Sequence, residues 1–173
     1  MTATNDRPPA GAGLLGLDER GVFGIRFDRP LRHSPTDVWR ALTDPDRLTF
    51  WLPGCLIEPW VGGQVRFDFG EEGTATGAVR SLHAPETPRD AGALEHTWRW
   101  DGLPESVVEW RLTPTPQGTR LLLTHREAPR DAAGDFALGW HLILDVLARH
   151  LDGASSDEVW AGAESLAAHY VTG

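Results

Sequence analysis

The stretch Phe136–Leu151, FALGWHLILDVLARHL, followed by Asp152 and Gly153, decides how the rest of the chain has to fold. At about 100° per residue, Phe136, Gly139, Trp140, Ile143, Leu144, Leu147, His150 and Leu151 share one face, with His141, Asp145, Arg149 and Asp152 opposite. This is the pattern of one long amphipathic helix. Gly153 lies just past its last apolar residue, where a left-handed cap suits a residue without a Cβ. An apolar face of this length needs a cover, and nearly everything upstream reads as strand.

Working backwards, Leu121, Leu123 and His125 alternate with Arg120, Thr124 and Arg126, and Leu122 breaks the polar side of that pattern. Val108, Trp110 and Leu112 alternate with Glu109 and Arg111, and Leu94, His96, Trp98 and Trp100 with Glu95, Thr97 and Arg99. Thr74 to His83 makes a further strand, in which Gly77 marks a bulge or a close backbone approach. Val65, Phe67 and Phe69 form a hairpin with Leu56 to Trp60 across a Gly62-Gly63 turn. Before them, Ser34-Pro35-Thr36-Asp37 and Asp44-Pro45-Asp46 each open a short helix. Phe23, Ile25, Phe27 and Leu31 alternate as a first strand, and residues 1–20, rich in Ala, Gly and Pro, read as a disordered arm. Downstream, Ser155-Ser156-Asp157-Glu158 starts a tail helix whose Val159, Trp160, Ala163, Leu166, Ala167 and Tyr170 share an arc. Leu138 and Leu142, away from the inner face of the long helix, could receive that tail or a second subunit.

The chain of 173 residues, 40% hydrophobic with eight Trp, is long enough for one domain with a sizeable core. A net charge of -9 with no basic run argues against a grip on nucleic acid or an anionic membrane and favours small neutral or apolar partners. No apolar run is long enough for membrane insertion and no secretory leader is evident, so a cytoplasmic location is expected. All 16 basic residues are Arg, which excludes Schiff-base lysines, a phosphate-loop lysine and a Ser-Lys dyad. Cys55 stands alone and is expected to be a packed structural thiol. Seven His without paired spacing and a single Cys give no metal-ligand spacing, and no Gly-x-Gly-x-x-Gly follows a strand, so neither a metal nor a dinucleotide cofactor is expected.

The order of strand, two short helices, six strands and long helix resembles the START-like (SRPBCC, helix-grip) superfamily, in its activator of Hsp90 ATPase homologue-like branch. The residues that carry the resemblance are Ser34-Pro35 with Val38 to Pro45 and Trp51; Gly62-Gly63; Gly77 with Val79; Leu94 with Thr97-Trp98; Gly118 to Leu121 with Leu123 to His125; Gly139-Trp140; and Leu151 to Gly153. The expected class is α+β: a curved antiparallel sheet of six to seven strands wrapped around the long helix, spanning residues 21–153, with a tail helix in 154–173. The lysine-free, Arg- and Ala-rich composition resembles that of proteins from GC-rich bacterial genomes, in which such domains stand alone. The resemblance implies a cavity between sheet and helix that holds apolar molecules.

Strand parity nominates Phe67, Phe69, Trp98, Trp100, Trp110 and His125 from the sheet, and Trp140, Ile143, Leu144 and Leu147 from the helix, as ligand contacts. The same residues could instead fill the core and leave no hole. His125 is the one weak catalytic candidate; the blander expectation is a neutral core histidine satisfied by backbone or by a neighbour such as Trp140 or Thr97. His150, near the helix end, is expected to satisfy terminal carbonyls. The preferred expectation is non-catalytic binding of a small hydrophobic or aromatic molecule. The alternatives are a polyketide cyclase or aromatase-type enzyme using the same cavity, or a co-chaperone-like module working through the outer sheet face or tail helix, alone or as a homodimer.

Overall fold

A computed structural model describes residues 8–170, as β1 (Leu14–Leu17), β2 (Phe23–Leu31), α1 (Pro35–Thr43), α2 (Pro45–Trp51), β3 (Cys55–Ile57), β4 (Gln64–Asp68), β5 (Thr74–His83), β6 (Gly92–Trp100), β7 (Ser106–Thr115), β8 (Gly118–Arg126), α3 (Ala133–Leu151), α4 (Asp157–Ala161) and α5 (Ala163–Tyr170). The strands form one antiparallel sheet in the order β1-β2-β8-β7-β6-β5-β4-β3. Strands β3 to β8 follow one another as a meander. The two short helices carry the chain back across, so that β2 pairs with the free edge of β8. The inward residues Ile25, Phe27, Val65, Phe67, Leu94, Trp98, Trp110, Leu121 and Leu123 meet Trp140, Ile143, Leu144 and Leu147 of α3 in a single core.

Local chemistry sets the boundaries. Ser34 accepts from the backbone N–H of Asp37, and Asp44 from that of Asp46, so each caps a helix that begins with Pro. Gly153 takes φ +70°, and the N–H groups of Gly153 and Ala154 close on the carbonyls of His150 and Arg149 in a Schellman cap. Backbone groups thus satisfy the carbonyls expected to occupy His150. Its ring packs instead on Trp51 and Phe50, at centroid distances of 6.2 and 5.7 Å. At Gly77 the backbone carbonyl of Thr97 comes so close that a Cβ would sit 1.9 Å from its oxygen. The β5–β6 register shifts nearby, between Val79 and Ser81.

Three features depart from the sequence pattern. The sheet has eight strands, because β1 pairs with β2 inside the arm expected to be disordered; residues 1–7 of that arm lie outside the described residues. The tail is two helices, parted at Gly162. His141, expected on the outer face of the long helix, is buried. One network accounts for the first and the last. The Gly13 N–H donates to the Tyr170 hydroxyl (2.8 Å), which lies 2.8 Å from His141 Nδ1. Arg29 donates from Nε to the Gly11 carbonyl (2.8 Å) and from Nη1 to Asp145 (2.6 Å), while His141 Nε2 lies 3.4 Å from the same carboxylate. Both ends of the described chain are therefore pinned over the outer face of α3. Burial opposes the charge on Asp145, but the hydrogen bond from His141 and the Arg29 guanidinium hold its carboxyl below the usual range.

Asp145→Ala is expected to cost about 3 kcal/mol in urea unfolding, because it strands the buried Arg29 charge. Adding Arg29→Met should restore most of the loss. A cost below about 1 kcal/mol would show that the pair is worth no more than a surface ion pair.

Candidate functional site

Four aromatic side chains, each delivered by a different element, meet under α3. Trp140 lies 5.0 Å from Trp98, 5.4 Å from Trp110 and 5.7 Å from Phe67, centroid to centroid. These rings interlock at the centre of the grip, and the open space lies beyond them. A cavity of about 670 Å³ opens at the N-terminal half of α3, with Trp98 and Trp140 among the residues that line it. Phe69, Trp100, Leu103, Phe136 and Ile143 form further parts of its wall, Leu138, Leu142, Trp160 and Ala163 close it where the tail crosses the helix, and Glu72 and Asp135 stand exposed at its mouth.

Of the ten residues nominated from the sequence, Phe69, Trp98, Trp100, Trp140 and Ile143 line the cavity. Phe67, Trp110, His125, Leu144 and Leu147 are buried core residues outside its lining. The reason lies in the ends of the grip. Helices α1 and α2 contact α3, and the buried Trp51 stacks on His150 near the C-terminal end of α3, with Phe50 on the surface beside it, whereas the cavity lies at the N-terminal half. Leu144 and Leu147, further along α3, are packed in the core. Strand parity tells in from out but not one end of the helix from the other.

The lining residues that parity missed include Phe136 and Gly139, which share the helix face with Trp140 and Ile143 and were legible there. Glu72 and Leu103 come from connections, Asp135 from the first turn of α3 and Trp160 from the tail, where the sequence carried no positional signal. Gly139 is informative in another way. A Cβ built on it meets nothing within 4 Å, so the helix tolerates its least favourable residue but Pro at the point where it faces the cavity.

Hydrogen bonding fixes the tautomers of the two core histidines. His96 Nδ1 lies 2.9 Å from the Thr97 carbonyl and must donate to it, which leaves Nε2 to accept from the Trp110 indole N–H at 3.0 Å. His125 Nδ1 accepts from the Trp140 indole N–H at 3.1 Å, so its proton sits on Nε2 and is donated to Ser106 Oγ at 2.6 Å. Burial pushes His96 down to about 4; burial, with a smaller contribution from the nearby His96, pushes His125 down to about 3. The close Ser106–His125 pair therefore has the wrong tautomer for a nucleophile and its base, since Nε2 already holds a proton. Burial likewise raises the Cys55 thiol to about 11, as suits an unreactive packed residue. Among the described residues no cluster of His, Cys, Asp and Glu could hold a metal, and no helix is long and apolar enough to cross a membrane.

The indole N–H of Trp98 has no hydrogen-bond partner, although the residue is 3% exposed. A buried donor left unpaired costs about 1–3 kcal/mol, and this one belongs to a ring that lines the cavity.

Comparison with solved structures places the chain beside proteins of the same architecture. The crystal structure of CalU16 from Micromonospora echinospora shares 26% identity over 95% of this chain and 100% of that one, with a TM-score of 0.66. A protein from Mesorhizobium loti shares 27% identity over 76% of this chain and 98% of its own, at a TM-score of 0.65. DynU16, from the dynemicin biosynthetic locus, shares 29% identity over 76% of this chain but 48% of its own, at a TM-score of 0.62. No curated protein matches. The model of the activator of Hsp90 ATPase homolog 1-like proteins matches residues 32–152, from the end of the first long strand through the cap of α3. The chain belongs to the activator of Hsp90 ATPase homolog 1-like family, on the helix-grip, START-like fold.

Proposed function

We propose that this protein binds a small hydrophobic or aromatic molecule in the cavity at the N-terminal end of α3, without catalysing a reaction on it. The observation that carries this reading is a 670 Å³ space lined by Trp98, Trp100 and Trp140 and kept clear on the helix side by Gly139. Such a volume suits a drug-sized apolar guest. The family fold is of a ligand-binding kind, which agrees with this use of the cavity. The cyclase alternative draws support from the biosynthetic locus of DynU16 but needs a proton donor or acceptor. His125 does not fill that role: both ring nitrogens are committed to Ser106 and Trp140, and its low pKa makes it a weak base.

Gly139→Leu tests the reading, because it adds a side chain where nothing stands in the way and improves the local helix propensity. With N-phenyl-1-naphthylamine as a neutral fluorescent probe, the native protein should give a saturable rise in emission. The variant should bind at least tenfold more weakly while melting no lower than the native protein. Equal binding by both proteins, or no saturable response from the native one, would overturn the proposal.

A further inference from the structure

The charge around the cavity narrows the class of guest, granted the binding reading above. Its lining holds two carboxylates, Glu72 and Asp135, and no Arg or His among the described residues. The four segments that frame the mouth, residues 69–73, 101–105, 130–136 and 156–164, carry nine acidic residues and a single basic one, Arg130. The guanidinium of Arg130 lies 4.8 Å from the ring centroid of Phe23, on β2. Glu158 is paired with Arg149 at 3.0 Å; neither of the two lining carboxylates has such a partner among the described ion pairs. A cavity with aromatic walls and an anionic rim repels a carboxylate or phosphate, accepts a neutral molecule and favours a cation, which gains from the indole faces as well as from the carboxylates.

We infer that the guest is an aromatic or polycyclic molecule bearing a protonated amine. Its flat body lies against Trp98, Trp100 and Trp140, and its ammonium group sits at the mouth by Glu72 and Asp135. The Trp98 ring lines the cavity while its indole N–H is covered and unpartnered, so an acceptor on the guest reaches it only when the ring turns. Asp135 also complements the positive end of α3, in whose first turn it stands, and that leaves its exposed carboxylate, like that of Glu72, open to a cation.

The test uses three probes of one shape: 2-naphthylmethylamine, 2-naphthylmethanol and 2-naphthoate, titrated calorimetrically into the native protein at pH 7.5. The amine should bind about tenfold more tightly than the alcohol, the sum of a cation–π contact and exposed ion pairing, and the carboxylate should be weakest. In the double variant Glu72→Gln with Asp135→Asn, the amine-to-alcohol ratio should fall to about threefold, the part that the indole faces supply, and a ratio is insensitive to any loss of folded protein. An alcohol that matches the amine in the native protein, or a carboxylate that binds best, overturns the cation preference while leaving the container reading intact. If none of the three binds and N-phenyl-1-naphthylamine also gives no response, both proposals fall together.

Discussion

Acidification from pH 7 to pH 5 is expected to remove about 4 kcal/mol of folding stability, because His96 and His125 are held neutral in the core. Well above pH 6.5, near pH 8, both imidazoles are neutral in the folded and unfolded chain alike, and they contribute no pH dependence. Below pH 6.5 the unfolded chain takes up two protons that the folded one refuses until the pH approaches about 4 for His96 and about 3 for His125. Each histidine then costs about 1.4 kcal/mol per pH unit through that window. His150, lowered mainly by burial and next by the charge of Arg47, adds in the same direction. Asp145 has its carboxyl held below the usual range, so the stability it contributes is lost only at lower pH and does not confuse the measurement. Urea midpoints at pH 7, 6 and 5 give the test. A stability that stays flat over this range would mean that the two rings can be protonated in place, and the tautomers assigned from their partners would be wrong.

Replacing Trp140 with Ala should cost about 4 kcal/mol, the range for emptying a large buried aromatic site, and should remove the cavity wall that the indole provides. Trp140 touches Phe67, Trp98, Trp110 and His125, so the hole left behind borders several rings that cannot all collapse into it. Trp140→Phe separates packing from hydrogen bonding. It keeps an aromatic ring but removes the N–H that holds His125 Nδ1 as an acceptor, and should cost about 2 kcal/mol. If the Phe variant is as stable as the native protein, the indole does not lock the histidine. If Ala and Phe cost the same, the bond is the whole effect and the packing contributes nothing.

Much of the architecture was legible because it rests on local periodicity. The alternation of Leu94, His96, Trp98 and Trp100 and of Leu121, Leu123 and His125 predicts strands that face inward as they do here. The caps at Ser34, Asp44 and Gly153 are set by side-chain reach and backbone geometry over a few residues, and each falls where its chemistry demands. His125 was expected to be satisfied by Trp140 or Thr97, and Trp140 is its partner; Thr97 supplies the carbonyl for His96. Less could be read of the site. Half of its nominated residues lie in solid core, and Glu72 and Leu103 reach it from turns, Asp135 from the first turn of α3 and Trp160 from the tail. The burial of His141 likewise depends on Tyr170 and Gly13, which come from opposite ends of the chain.

Periodicity, capping residues and charge alone determined that an antiparallel sheet grips one long helix and that basic chemistry is scarce, since each of these depends on neighbours a few positions apart. Only the tertiary structure decided which end of the grip stays open. That depends on how the loops, α1, α2 and the tail share out the space around α3, and no local spacing encodes where distant segments run out of volume to fill.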